Sequence, residues 1–148
     1  MVDGRHQGLG VGVRRVRLGA DGSLPLPAAF HPPPARLWLM AVAPPPDRPI
    51  VLLTPDALDL VAAKIGNLER GSRMRRTAEA AFYGESQKIP ANESGFTRIP
   101  RALLSGIAVV PPAQVVLRPY RHVLQIWSVV MWDGFVSRER GVASPLTP

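Results

Sequence analysis

The chain has 148 residues and a mass of 16.0 kDa, which allows one domain or two small halves sharing a core. Hydrophobic residues make up 46%, which excludes wholesale disorder, and the 17 prolines argue for short strands and turns over a long-helix bundle. A net charge of +7 favours phosphate-bearing partners, while the absence of cysteine excludes a disulfide framework and a thiolate metal site.

Sixteen of the 18 cations are Arg, and only Lys64 and Lys88 are Lys. Arg matches phosphate and guanine edges with a planar fork; a high-GC coding bias gives the same ratio and also enriches Ala, Pro and Gly. The first twenty residues hold no continuous apolar stretch, so no secretion leader is predicted. The longest apolar run, Leu37 to Ala43, is far short of a membrane span, and a soluble cytoplasmic protein is expected.

The opening "MVDGRHQGLGVGV" is glycine-rich and is expected to be mobile at its start. "VGVRRVRLG" follows, with Val11, Val13, Val16 and Leu18 between Arg14, Arg15 and Arg17. The shift of face after Val13 suggests a bulge in a half-buried strand. "GADG" marks a turn. "RLWLMAVA" (36–43) and "IVLL" (50–53) are strand candidates. Thr54 is a good N-cap, Pro55 suits the first helical position and Asp56 complements the helix dipole. Leu58, Val61, Ala62 and Ile65 then form one apolar stripe, so a helix ending near Gly66 is predicted. A second helix is expected from near Ser72 to near Gly84, burying Met74, Ala78, Ala81 and Phe82, with Arg73, Arg76 and Glu79 on the other side.

The plan then repeats. "QKIPANESGFTRIP" reads as strand, turn and strand, with its first strand at 86–89, and leads into one helical turn, "RALL". "QVVLR" and "HVLQIW" read as a hairpin around Pro119 and Tyr120. Ser128 caps a last helix carrying Met131, Trp132 and Phe135, and from Arg138 onward the tail reads as disordered. "RLGADGSLPLPAAF" lies 73 positions before "PANESGFTRIPRAL", so that Gly22 falls on Gly95, Leu26 on Ile99 and Pro27 on Pro100. "LLTPDALDLV" lies 74 positions before "IWSVVMWDGF". Two landmarks at nearly one offset indicate an internal duplication. Each unit reads β-turn-β, a helical turn, a β pair and a helix; such small units seldom bury a face alone, and they pair.

With these pieces in this order, the chain resembles the MraZ family, transcriptional regulators of the bacterial division and cell-wall gene cluster. The resemblance runs from about residue 8 to 135 and is carried by "LGADGSLPLPAAF", "AFYGESQKI", "GFTRIPRALL" and "HVLQIWS". It implies an α+β fold: a tandem pair of AbrB/SpoVT-like swapped-hairpin units with short helices, closing into a compact pseudo-two-fold barrel. The first unit would span 8–66, a bridging helix 67–85, the second unit 86–137 and the tail 138–148. The resemblance also implies DNA as partner, in the form of repeated promoter elements read by a ring-like homo-oligomer, with nucleoid association. Ring multiplicity adds avidity without tight contacts from any one protomer. No membrane or small-molecule partner is expected.

The turn chemistry departs from the family. Where the family motif has Asp, Lys and Arg, the first copy has Gly19, Asp21 and Ser23. In the second copy Asn92 replaces Asp and Phe96 stands at the Arg position. The candidate DNA-binding residues are therefore the flanking cations Arg14, Arg15, Arg17, Arg98 and Arg101. The first three also suit an edge strand that uses charge to block aggregation. Loss of the turn Lys and Arg fits a second reading, an assembly or interaction protein with weak or no specific DNA binding.

Arg70, Arg73, Arg75 and Arg76 read as a solvated helix face or a subunit salt bridge, and Arg118 and Arg121 as structural residues beside a turn. Phe96 reads as an interface anchor in preference to a DNA-stacking residue. Trp38, Trp127 and Trp132 are expected in the core. His6, His31 and His122 lack partners at ligand spacing, so no metal or other cofactor is expected. No catalytic constellation is visible, "GLGVG" has no following helix, and an enzyme is not expected.

Overall fold

The structure, a computed structural model, describes residues 12–43, 45–83 and 86–143. Among these residues there are eight strands and four α-helices. In chain order they are β1 (Arg14–Leu18), β2 (Ser23–Pro25), β3 (Trp38–Val42), β4 (Ile50–Leu53), α1 (Pro55–Gly66), α2 (Arg73–Tyr83), β5 (Ser86–Pro90), β6 (Phe96–Arg98), α3 (Arg101–Gly106), β7 (Ala113–Tyr120), β8 (Val123–Ser128) and α4 (Val129–Ala143). Short 3-10 turns at Ala28–Phe30 and Pro34–Arg36 join β2 to β3.

The fold is α+β, built on one antiparallel six-stranded sheet in the order β1-β7-β8-β4-β3-β5, with β2 and β6 paired apart from it as a two-stranded ribbon. The two copies exchange strands. β1 of the first copy pairs with β7 of the second, and β5 of the second pairs with β3 of the first. Substituting each strand by its counterpart in the other copy reverses the sheet order and leaves every pairing in place. The register follows: Arg14 faces Leu117, and its counterpart Gln87 faces Ala41. Leu24 faces Thr97, its own counterpart in the ribbon, and Val51 faces Gln125, its own counterpart in the sheet. A local two-fold axis therefore passes between both pairs. The duplication read from the sequence is thus a duplication in space.

The expected barrel is not closed. Among the described residues the sheet ends on β1 and β5, and the ribbon meets it through a single isolated bridge, between Thr97 and Ala91 just past the end of β5. Each is three residues long and is followed, one residue on, by Pro27 or Pro100 and a helical turn, so neither extends into a continuous ladder with a sheet edge.

Both faces of the sheet are covered. Leu18, Leu39, Leu52, Val115, Leu117, Leu124 and Ile126 point into the main core, which the ribbon residues Leu24, Leu26 and Ile99 complete. On the opposite face Val116, Trp127 and Trp132 form a smaller cluster under α4. This second cluster explains why β1 needs no bulge. Val13 belongs to the smaller cluster and Val16 packs against the main core, so the shift of face reflects two cores in place of a kink. Val11 lies outside the described residues.

Other expectations are corrected. Met74 of α2 is 68% exposed, and Phe82 is only half-buried, because α2 packs on α1 without entering the core. Trp38 is half-buried at the rim, with the Lys88 ammonium 4.4 Å and the Arg36 guanidinium 5.3 Å from its ring centroid. The hairpin turns at Arg121 and His122, since Tyr120 still pairs with Val123. Arg121 takes the left-handed conformation at φ 57°. Pro119 is tolerated in β7 because β1 begins at Arg14, opposite Leu117, so that no described residue pairs with Pro119 from the β1 side. α4 runs on through Arg138 to Ala143, where a disordered tail was expected from Arg138, since Arg and Glu are good helix formers. The expected helix stop at Gly84, the mobile start and the tail beyond Ala143 lie outside the described residues.

The two equivalent helices begin alike. The Thr54 hydroxyl accepts from the Ala57 N–H at 3.2 Å, and the Ser128 hydroxyl accepts from the Met131 N–H at 3.1 Å. Thr54→Ala and Ser128→Ala are each expected to cost about 1 kcal/mol. Urea denaturation of the two variants checks this.

Candidate nucleic-acid interface

The two glycine turns lie at opposite ends of the ribbon and are built alike. In the first, Gly19 N–H donates to Ser23 O at 3.0 Å; in the second, Asn92 N–H donates to Phe96 O at 2.9 Å. Gly22 and Gly95 both take left-handed backbone, at φ 84° and 86°. Each turn is pinned to the opposite copy: Ile99 N–H donates to Gly22 O at 2.9 Å, and Leu26 N–H to Gly95 O at 2.8 Å.

Their side chains differ. In the second turn the Asn92 side-chain oxygen accepts from the Phe96 N–H at 3.0 Å. The equivalent position in the first turn is Gly19, which has nothing to offer. Asp21, two residues on, supplies the acceptor. Its Oδ1 takes the Ser23 N–H at 3.0 Å and the Ser23 hydroxyl at 2.6 Å. The two solutions exclude each other, because a Cβ at Gly19 would lie 2.5 Å from the Ser23 hydroxyl oxygen and 3.1 Å from Asp21 Oδ1. Asp21 is thus a turn-forming residue.

The hydrogen bonds from Ser23, with a smaller contribution from the Arg98 charge, hold the Asp21 carboxyl below its usual range. A carboxyl depressed by folding binds fewer protons in the folded chain than in the unfolded one, so stability rises with pH through that window. Its contribution is complete above the ordinary carboxylate range and is lost as pH falls below it. Asp21→Ala is therefore expected to lower the urea midpoint at neutral pH and to converge with the natural chain in acid. A difference independent of pH would contradict this role.

The predicted arginines do not form one surface. Arg98 Nη2 lies 3.2 Å from Asp21 Oδ2, and Arg101 Nη2 donates to Ala20 O at 3.4 Å. Two cations of the second copy therefore close on the turn of the first. On β1, strand alternation puts Arg15 and Arg17 on the α4 side of the sheet and Arg14 on the other. Arg15 pairs with Asp133 of α4 at 2.9 Å, a contact spanning 118 positions that no local pattern announces. Arg14 and Arg17 are exposed and make no ion pair with a described residue.

Arg75 and Arg118 behave as structural residues. Arg75 pairs with Glu79 along α2 at 3.1 Å. Arg118 is buried on the α4 side, its guanidinium 4.6 Å from the Tyr120 ring centroid and 5.5 Å from that of Phe135. Burial lowers its pKa. Phe96 is 43% exposed opposite Pro25, and it lines a shallow groove of about 240 Å³ together with Ser23, Asn92 and Arg98.

Among the described residues no group of three His, Cys, Asp or Glu side chains is placed to hold a metal, and no helix is long and apolar enough to cross a membrane. No protein-family model matches the chain, and no curated protein matches it.

Proposed function

We propose that this chain is a divergent MraZ-like DNA-binding transcriptional regulator, a cytoplasmic and nucleoid-associated protein without enzymatic activity. In this reading its two units are swapped hairpins of the AbrB/SpoVT type. Several copies assemble as a ring-like homo-oligomer on promoter repeats of the division and cell-wall genes. The observation that carries the reading is the strand exchange, which gathers Arg98 and Arg101 of one copy at the glycine turn of the other. On the exposed edge strand, Arg14 adds charge on the ribbon side of the sheet, and Arg15 and Arg17 add it on the α4 side. With Asp21, Ser23 and Phe96 at the turn positions, binding rests more on phosphate neutralisation than on base contacts.

Fluorescence anisotropy against the chain's own upstream DNA and a scrambled duplex, across a salt series, tests this. The expected result is a preference for the native repeats that the triple variant Arg14→Ala, Arg15→Ala, Arg17→Ala abolishes. Equal, purely salt-driven binding to both duplexes, or none, would overturn it. Two internal ion pairs, Arg98 with Asp21 and Arg15 with Asp133, favour a second reading, an assembly protein without specific DNA binding. That same negative result would support it.

A further inference from the structure

The ion pair at the first turn has no counterpart at the second. The position equivalent to Arg98 is Pro25, and the position equivalent to Asp21 is Ser94. The pair therefore belongs to one end of the ribbon only.

Its geometry is set by backbone that cannot easily move. Gly22 is buried with its carbonyl bonded to the Ile99 N–H, and Ser23 and Arg98 are direct cross-strand partners. Oδ1 of Asp21 is held by the Ser23 N–H and hydroxyl, which leaves Oδ2 to face Arg98. Arg98 lies on the outer side of the ribbon, since Thr97 and Ile99 on either side of it are buried. The groove lined by Phe96, Asn92 and Ser23 borders on it.

A carboxylate oxygen and a phosphodiester oxygen make the same demand on a guanidinium, a short charge-assisted bond in the plane of the fork. We infer that Arg98 is an anion site for a nucleic-acid phosphate, and that the Asp21 carboxylate occupies it in the free protein as an internal phosphate mimic. The inference rests on the DNA-binding reading for its ligand and adds which cation is withheld and by what. The two side chains are 67% and 54% exposed, and a pair so open to water is weak. A backbone carrying many phosphates displaces the carboxylate, so Asp21 tunes affinity and does not abolish it.

The test is a double-variant cycle. Asp21→Asn keeps an oxygen for the Ser23 N–H and removes the charge. Asp21→Ser removes the charge with a smaller side chain, and thermal melts establish that both are folded. Binding to a scrambled duplex and retention on a heparin column are measured for each, with and without Arg98→Ala. The expected result is that both Asp21 variants bind duplex several-fold more tightly. Their plot of log affinity against log salt should be steeper by about one unit, as for one further phosphate neutralised. They should also elute later from heparin, and all these gains should vanish in the Arg98→Ala background. Equal gains with and without Arg98 would mean only a change of net charge, and no gain would mean no masking; either overturns the inference. An Arg98-dependent shift on heparin, with no duplex binding by any variant, would sink the DNA-binding reading and leave the masked anion site standing.

Discussion

Gly22→Ala is expected to cost roughly 3 kcal/mol or more, among the largest losses from any single substitution in this chain. Two effects combine. Gly22 sits at φ 84°, where an L-residue is strained by about 1–2 kcal/mol. An added Cβ would also lie 2.5 Å from the Ile99 carbonyl oxygen, a backbone atom held in the ribbon by the bond from Ile99 N–H to Gly22 O. Relief would require opening the ribbon at the place where the two copies meet. Gly95→Ala is the internal comparison, since Gly95 has nearly the same φ, 86°. There the added Cβ would meet the His31 ring, 2.5 Å from Nε2, and His31 is an exposed side chain free to swing out. The loss at Gly95 should be roughly the 1–2 kcal/mol of backbone strain, plus the contact between His31 Nε2 and Leu26 O at 2.8 Å. Urea denaturation should rank Gly22→Ala as clearly the more damaging; equal losses would show that the backbone approach at Gly22 is not tight.

Trp132→Ala is expected to cost about 3–5 kcal/mol. Trp132 is 6% exposed and packs edge-on against Trp127 at 5.4 Å between centroids, with Phe135 at 5.6 Å. Among the described residues the smaller core has three buried members, Val116, Trp127 and Trp132, with Val13, Val129, Met131, Phe135 and Val136 at its margin, so removing the indole takes away a large share of its buried mass. α4 makes its main contacts with β7 and β8 across this cluster, so the variant should lose helix as well as stability. Circular dichroism and tryptophan fluorescence through the urea transition report both. A loss under about 1 kcal/mol would mean that α4 is held by something other than this aromatic cluster.

Much of the fold is legible in the chain itself because its signals are local. Thr54 and Pro55 mark a helix start that the structure places at Pro55, and "IVLL" coincides with β4. Gly22 and Gly95 announce their turns because only glycine takes that backbone cheaply. The repeat offset carries further, since it implies two copies that meet about an axis. The pattern is less informative wherever two apolar environments flank one strand: Val13 and Val16 face different cores, and that alternation mimics a bulge. Met74 shows the opposite error, an apolar residue at the right helical spacing on a helix whose main contact is with another helix, α1.

At the candidate interface, the two copies of the turn differ in sequence, and what their residues do is only partly legible from the pattern. Asp21 carries a readable cue, since an Asp two residues before a Ser commonly caps a turn through its side chain. The Arg15 to Asp133 and Arg98 to Asp21 pairs carry none, because they depend on which strand of one copy lies beside which element of the other.

The central claim is that the two copies are interlocked, so that each supplies strands the other lacks. Among the described residues β1 has its only sheet partner in β7, and β5 has its only sheet partner in β3. The direct measurement is to produce residues 1–66 and 67–148 as separate chains and to follow their circular dichroism and mass alone and mixed. The account predicts that neither half yields a folded monomer and that mixing restores a one-to-one complex melting as a single cooperative unit. A half that folds alone as a stable monomer, with unchanged stability on addition of the other, would contradict it.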